Sequence, residues 1–185
     1  MKEICADLAN EQEELDAFVA DLDEEGWNTM TPAEGWTIKD QIRHLAYFDD
    51  RARLAATDPE AFKTYLQKSM EDLESYLKHL ETAGSDLSGA ETLEWWRHER
   101  RALIEAMAPM DRKTRLPWYG PDMSVMSSAT ARLMETWAHG QDIVDALGLT
   151  RQPTDRLRHV AHIGVRTFGW SYINRQMEVP DKEVR

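Results

Sequence analysis

Residues of types that bind metal ions occur at helical spacing in the second half of this chain. Glu135, His139 and Asp142 follow one another at intervals of four and three residues, which places them on one strip of a helix. Side chains one turn apart have Cβ atoms about 5–6 Å apart, so Glu135 and His139 can reach a single ion. Metal sites inside helical bundles use inward-facing Glu and His at such spacing. The pattern therefore predicts two ligands of a divalent metal ion.

A third ligand is expected from another helix, because two ligands on one helix hold an ion weakly. His44 is the best candidate, since it lies beside Phe48 on the shoulder of the apolar stripe of its own predicted helix. Two imidazoles and one carboxylate suit zinc, with nickel and iron as alternatives, and leave one coordination position open for water or substrate. Asp142 is predicted to orient His139 without binding the ion.

On spacing alone, a second interpretation of the strip stands beside the metal site. Glu135, His139 and Asp142, with Arg132, also fit a solvated helix face stabilised by neighbouring charge pairs. The other histidines are interpreted as structural or surface residues: His79, His98, His159 and His162.

Four further side chains are candidates for binding a substrate. Arg43 and Arg132 flank the predicted ligands, where either can bind a carboxylate through two hydrogen bonds or form a plain surface salt bridge. Trp118 and Tyr119 lie in the loop before the Glu135 helix, where they can line a pocket. Other aromatic residues are interpreted as core or interface anchors: Trp36, Trp96 and Trp137.

The elements that must position these residues are helices. Apolar residues recur at intervals of three or four, and no alternating strand is evident. The predicted helices cover about 3–25, 38–56, 59–80, 90–107, 124–147 and 155–174. Thr37 with Asp40 predicts a capping box at the second helix, Pro59 opens the third, Gly148 ends the fifth and Thr154 caps the last.

These segments predict an all-α fold, an up-and-down four-helix bundle with additional helices. Residues 1–178 are expected to form one domain. The polar residues 179–185 are expected to be a tail, or a linker to a C-terminal domain absent from this chain.

Composition limits the partners. The formal net charge of −12 repels nucleic acid phosphates and anionic lipid headgroups. No apolar run approaches the roughly 20 residues of a membrane span, and the first residues lack a signal-peptide pattern. With a single cysteine, Cys5, no internal disulfide forms. We expect a cytoplasmic protein that binds neither nucleic acid nor membrane.

Two motifs carry a family resemblance. Residues 35–45, GWTIKDQIRHL, resemble the N-terminal signature of the DinB-like superfamily, and most closely its mycothiol-dependent maleylpyruvate isomerase branch. In that branch a W-T-x-x-D-x-x-x-H-L helix supplies one histidine, and an E-x-x-x-H-G-x-D helix supplies a glutamate and another histidine. These positions fall on His44, Glu135 and His139. Residues 117–139 resemble an actinobacterial metal-binding subgroup, in which a proline-and-aromatic loop precedes the ligand helix.

The resemblance implies a bundle with an open-sided zinc or similar ion and chemistry on or through a low-molecular-weight thiol. It implies a thiol S-transferase or isomerase that uses mycothiol or a comparable thiol with a small-molecule substrate, and a homodimer is one option for its assembly. A metal-dependent hydrolase and a non-catalytic metal-binding or ligand-sensing bundle are the alternatives. Isomerase relatives carry a second domain after the bundle, whereas this chain ends at Arg185.

Overall fold

The computed structural model describes residues 1–182. Over this part of the chain there are eight helices and one pair of two-residue strands. The helices are α1 (Lys2–Val19), α2 (Glu24–Trp27), α3 (Ile38–Thr57), α4 (Pro59–Glu71), α5 (Leu73–Thr82), α6 (Gly89–Met107), α7 (Val125–Ala146) and α8 (Leu157–Asn174). The strands β1 (Arg115–Leu116) and β2 (Met123–Ser124) pair antiparallel between α6 and α7. The predicted all-α fold class is confirmed.

The bundle consists of α1, α3, α6 and α7, with α3 in contact with both α6 and α7. Helix α8 packs on α7, whereas α4 and α5 extend from the end of α3. Fully buried side chains such as Leu45, Trp96 and Leu133 fill the space between the four helices. Burial of such side chains provides the main stabilisation of the bundle.

Local sequence fixes the ends of the two helices that carry the predicted ligands. At the start of α3, the Thr37 hydroxyl accepts a hydrogen bond from the Asp40 amide at 3.2 Å, and the Asp40 carboxylate accepts one from the Thr37 amide at 2.9 Å. This is the predicted capping box. Helix α7 begins after Ser124, which accepts from the Ser127 amide at 3.1 Å, and is followed by Gly148 at a φ of 64°. That left-handed conformation favours glycine after a helix.

Three boundaries differ from the sequence prediction. The segment 59–80 forms two helices instead of one, because the chain turns at Asp72 (φ −136°, ψ 77°), whose side chain caps α5 by accepting from the Ser75 amide. The first long helix ends at Val19, and Gly26 lies inside the short α2 rather than after α1. The last helix begins at Leu157 and not directly after the predicted cap Thr154. The Thr154 hydroxyl instead accepts a hydrogen bond from the Arg156 amide at 3.3 Å.

Within residues 1–182, no helix is both long and apolar enough to cross a bilayer. Of the predicted tail, residues 179–182 form neither helix nor strand, and residues 183–185 lie outside the described residues.

Candidate metal centre

The three predicted ligands meet between α3 and α7. His44 lies on α3, and Glu135 and His139 lie one turn apart on α7. One ligand atom from each residue lies within 4.8 Å of the others. The Glu135 Oε2 atom is 3.3 Å from His139 Nε2 and 3.5 Å from His44 Nε2. The helical spacing of Glu135 and His139 and the packing of α3 against α7 thus bring three donors to one point.

These separations fit a zinc-like ion. Bonds of about 2.1 Å in tetrahedral geometry place neighbouring ligand atoms about 3.4 Å apart, close to both distances from Glu135. The three side chains keep between 18% and 33% of their surface exposed, so the group opens to solvent on one side. Three protein donors with an open side form the arrangement of catalytic rather than structural zinc sites.

The charge state of Glu135 also suits a ligand. Burial opposes ionisation of this carboxyl, but the hydrogen bonds with His139 and His44 and the charge of Arg132 outweigh burial and hold its pKa well below the usual range. An ionised carboxylate is the form that binds a metal ion.

His44 is held in the form that binds a metal ion as well. Burial lowers the pKa of His44 below its ordinary value, and the nearby His139 and Arg132 add to this effect against the opposing hydrogen bond with Glu135. A lowered pKa favours the neutral ring, which has a lone pair available for an ion.

A buried ion pair fixes the two ligand helices relative to each other. The Arg132 guanidinium on α7 donates to the Asp49 carboxylate on α3 at 2.8 Å, and both side chains are almost fully buried. The indole of Trp96 on α6 donates to the same carboxylate at 3.1 Å. Arg132 was predicted either to bind a substrate carboxylate or to form a surface salt bridge, whereas the structure places its charge in a buried ion pair with Asp49.

Asp142 reaches His139 only through a third residue, Gln41. The Gln41 amide nitrogen donates to Asp142 Oδ2 at 3.2 Å, and its oxygen Oε1 contacts His139 Nδ1. Gln41 is fully buried on α3. Sequence reasoning missed this residue, although its position one turn before His44 on the apolar face of the helix was a usable signal.

Aromatic rings border the centre. Trp36 stacks on His139 with ring centroids 5.8 Å apart and planes 13° apart. Phe48 lies against His44 at 4.6 Å. Trp36 was interpreted as a core or interface anchor, but the loop before α3 places it at the centre.

A cavity of about 600 Å³ adjoins His44. Its walls come from α3, from the loop before it and from α5: Gly35, Trp36, Phe48, Leu77, Leu80 and Glu81 are among its residues. Cavities of roughly 300–1,000 Å³ with apolar walls and a few polar groups are typical of small-molecule sites.

The remaining predicted substrate groups differ in whether they line the cavity. Arg43 lines the cavity, where its guanidinium pairs with Asp40 at 3.2 Å and donates to the Glu81 carbonyl at 2.7 Å. Trp118 and Tyr119 lie behind Phe48, with ring centroids 6.5 and 5.7 Å from it. They support the aromatic wall and are not among the residues that line the cavity within the described chain.

The chain is similar in sequence to known proteins. Residues 8–144, which contain all three ligands, match the family model described as the mycothiol maleylpyruvate isomerase N-terminal domain. An uncharacterized protein found in two strains of Mycobacterium tuberculosis is 43% identical over 175 residues, which are 95% of this chain and 68% of that protein.

A solved structure is also similar. It is the crystal structure of a histidine-to-alanine mutant of the mycothiol-dependent maleylpyruvate isomerase, with a TM-score of 0.71 and 14% identity over 96% of this chain and 72% of that one. At this identity the likeness shows the fold alone.

Proposed function

Because the chain belongs to the family of mycothiol maleylpyruvate isomerase N-terminal domains, we propose that it is a metal-dependent enzyme working through a low-molecular-weight thiol such as mycothiol. The reaction class is thiol S-transfer or isomerisation of a small electrophile. The convergence of His44, Glu135 and His139 on one point beside a cavity carries this proposal.

The ligands have distinct tasks. A divalent ion held here, zinc by donor preference, would supply a positive charge that lowers the pKa of a bound thiol. His44 and His139 would hold the ion through ring nitrogens, and Glu135 would add the one negative charge of the donor set. Such a centre would keep a net positive charge that favours an anionic ligand.

The cavity gives the reactants a place beside this centre. His44 is both a proposed ligand and part of the cavity wall, so a molecule bound there lies against the open side. Trp36 and Phe48 limit access of water from the flanks, which strengthens electrostatic attraction within the site.

Metal content tests the ligand assignment. His44→Ala, Glu135→Ala and His139→Ala should each greatly reduce the metal bound by protein purified without added metal, measured by elemental analysis. His98→Ala is the matched control, because that histidine is 71% exposed on α6. Stoichiometric metal in all three ligand variants, with helical content unchanged, would contradict the assignment.

Thiol binding tests the function. A small thiol should bind the zinc-loaded protein and release a proton, whereas the metal-free protein should not bind it. Calorimetry in two buffers of different ionisation enthalpy measures that proton. Equal thiol binding with and without zinc would refute the thiol reaction. Zinc-dependent ester or amide hydrolysis without any thiol would favour the hydrolase alternative, and zinc binding without turnover would favour the sensor.

A further inference from the structure

We propose that Gln41 is a positioning residue that fixes the tautomer of His139, and that Asp142 acts on His139 only through Gln41. The inference rests on the proposed metal site. It deepens that proposal by identifying which groups aim one of the ligands.

The first step is the orientation of the Gln41 amide. An ionised carboxylate only accepts hydrogen bonds, so the group of Gln41 that lies 3.2 Å from Asp142 Oδ2 must be the amide nitrogen. The same nitrogen donates to the Thr31 hydroxyl at 2.9 Å. That hydroxyl uses its own hydrogen on the Trp36 carbonyl, also at 2.9 Å, and is free to accept. Two independent acceptors therefore hold the amide in one orientation.

The second step is the tautomer of His139. With its nitrogen turned towards Asp142 and Thr31, the amide of Gln41 presents Oε1 to His139 Nδ1. A carbonyl oxygen only accepts, so Nδ1 must carry the hydrogen. A neutral imidazole has one N–H, which leaves the lone pair on Nε2. That nitrogen is the one that lies 3.3 Å from Glu135 Oε2, at the proposed metal position.

The third step is the rigidity of this arrangement. Gln41 is fully buried, and both of its partners other than His139 are fixed by the fold. Thr31 belongs to the loop before α3, and Asp142 to α7, which also carries His139. Trp36 stacks on the His139 ring from the same loop. The ring is consequently held at its edge by an amide and across its face by an indole.

An amide in this position also has an electrostatic consequence. Many metal-binding histidines donate their second N–H to a carboxylate. Here Gln41 conveys the orienting effect of Asp142 without placing a full negative charge on the ring. The centre then carries less negative charge than it would with a carboxylate bonded directly to His139, so it attracts an anionic ligand more strongly.

The tautomer can be measured in metal-free Glu135→Ala, because in the native protein the Glu135 carboxylate, 3.3 Å from Nε2, competes for the hydrogen of His139 when no ion is bound. Long-range ¹H–¹⁵N correlation at about pH 8, where ordinary imidazoles are neutral, reports which nitrogen of each histidine carries the hydrogen. The signals of His139 are identified by their loss when His139→Gln is added. We expect the Nδ1–H form in this background. The Nε2–H form would overturn the proposal.

Two variants then test the relay, with the tautomer measured in the same Glu135→Ala background and zinc binding measured with Glu135 intact. Gln41→Leu removes all three hydrogen bonds of the Gln41 amide at similar volume. It should leave the His139 tautomer unfixed and weaken zinc binding by about 10–100-fold. Asp142→Asn is milder, because an asparagine can donate and so lets the Gln41 amide turn round; it should produce a mixture of tautomers in a fully folded protein. Gln12→Leu is the matched control, since Gln12 is a buried glutamine on α1.

The outcomes separate this proposal from the proposed function. An unchanged His139 tautomer in both Gln41→Leu and Asp142→Asn would overturn the relay, as would an effect of Gln12→Leu as large as that of Gln41→Leu. Absence of thiol binding by the zinc-loaded native protein would refute the thiol reaction and leave the tautomer result intact. If Gln41→Leu fails to fold, Asp142→Asn alone decides.

Discussion

Glu135 combines two properties at the centre, a negative charge and an oxygen positioned between two imidazoles. Glu135→Gln separates them, because glutamine keeps an oxygen and the side-chain length but loses the charge. We expect zinc affinity to fall by more than the 10–100-fold typical of residues outside the ligand set, measured by competition with a chromophoric chelator. A loss below 10-fold would show that shape, and not charge, dominates at this position.

Asp145→Asn provides the control for that experiment. It removes the same charge from the same helix, at an exposed side chain paired with Gln141. Zinc affinity should be unchanged in this variant. A comparable loss would indicate a general effect of net charge rather than ligation by Glu135.

The residues that converge at the centre were predictable from sequence, whereas the groups around them were not. Glu135 and His139 are marked by their helical spacing, and His44 by its place beside Phe48 and by its motif. Gln41 contacts His139 and Asp142 across 98 and 101 residues of sequence, and nothing in a single sequence gives the pairing of two distant helix faces. Trp36 was misjudged for a different reason, because a tryptophan has the same apolar character in a core and at the edge of a site.

At the scale of elements, α1 and α6 are joined by a cluster of charges. The Asp16 carboxylate accepts from Arg97 at 2.7 and 2.8 Å and from Arg100 at 2.7 Å. Asp16→Asn should destabilise the protein by on the order of 3 kcal/mol at neutral pH, because it leaves the largely buried Arg100 with only the exposed Glu13 carboxylate as a charged partner. Urea denaturation measures the difference, and Asp21→Asn, in the exposed turn after α1, is the control.

The effect of Asp16 should depend on pH. Burial alone would raise its pKa, but the hydrogen bond with Arg97 and the charges of Arg100 and Arg97 outweigh burial and lower the pKa below the ordinary value. The stabilisation is thus complete above the unfolded value, about 3.9, and is lost as pH falls through the lower folded value. The difference between native protein and Asp16→Asn should shrink below about pH 4. A difference that persists in full to about pH 2 would contradict this.

Helix α5 is weakly packed against the rest of the protein. None of its residues is buried, yet Leu77, Leu80 and Glu81 form one wall of the cavity. Hydrogen exchange should therefore be faster in α5 than in α3 or α7, because amides in weakly packed elements open with little free energy. A ligand in the cavity should slow exchange in α5. Equal protection of α5 and α7 without ligand would contradict this expectation.

The elements were predicted well where caps and apolar stripes agree, as in α3 and α7. The break between α4 and α5 was missed, since 59–80 carries a continuous apolar pattern without proline or glycine in its interior. The signal was present in Asp72, three residues before Ser75, which is the spacing of an N-cap. The strands β1 and β2 are two residues each, too short for any alternation to be visible.

At the scale of the whole molecule, the bundle is shared with a protein of only 14% identity. Many apolar sequences fill a four-helix core equally well, provided that the helical pattern and the volume are kept. The fold therefore follows from patterning, whereas the chemistry depends on a few side chains at the contact of α3 and α7. The proposed zinc ion, cytoplasmic location and homodimer stay predictions, and sedimentation at several concentrations tests the last of them.

Net charge and local charge act in opposite directions on an anionic ligand. The chain carries a formal charge of −12, which repels an approaching anion, whereas the zinc-loaded centre attracts it at contact. Salt screens the first effect far more than the second, because the Debye length falls from about 30 Å at 0.01 M to about 3 Å at 1 M. The two effects are thus separable by ionic strength.

We predict that salt speeds the binding of an anionic thiol to the zinc-loaded protein. The association rate of 3-mercaptopropionate, followed by stopped flow, should rise several-fold between low and high salt, while its dissociation rate changes little. 2-Mercaptoethanol, which carries no carboxylate, should show a much flatter association rate and serves as the control. A rate for 3-mercaptopropionate that falls with salt would contradict the prediction, because the positive centre, and not the acidic surface, would then govern the approach.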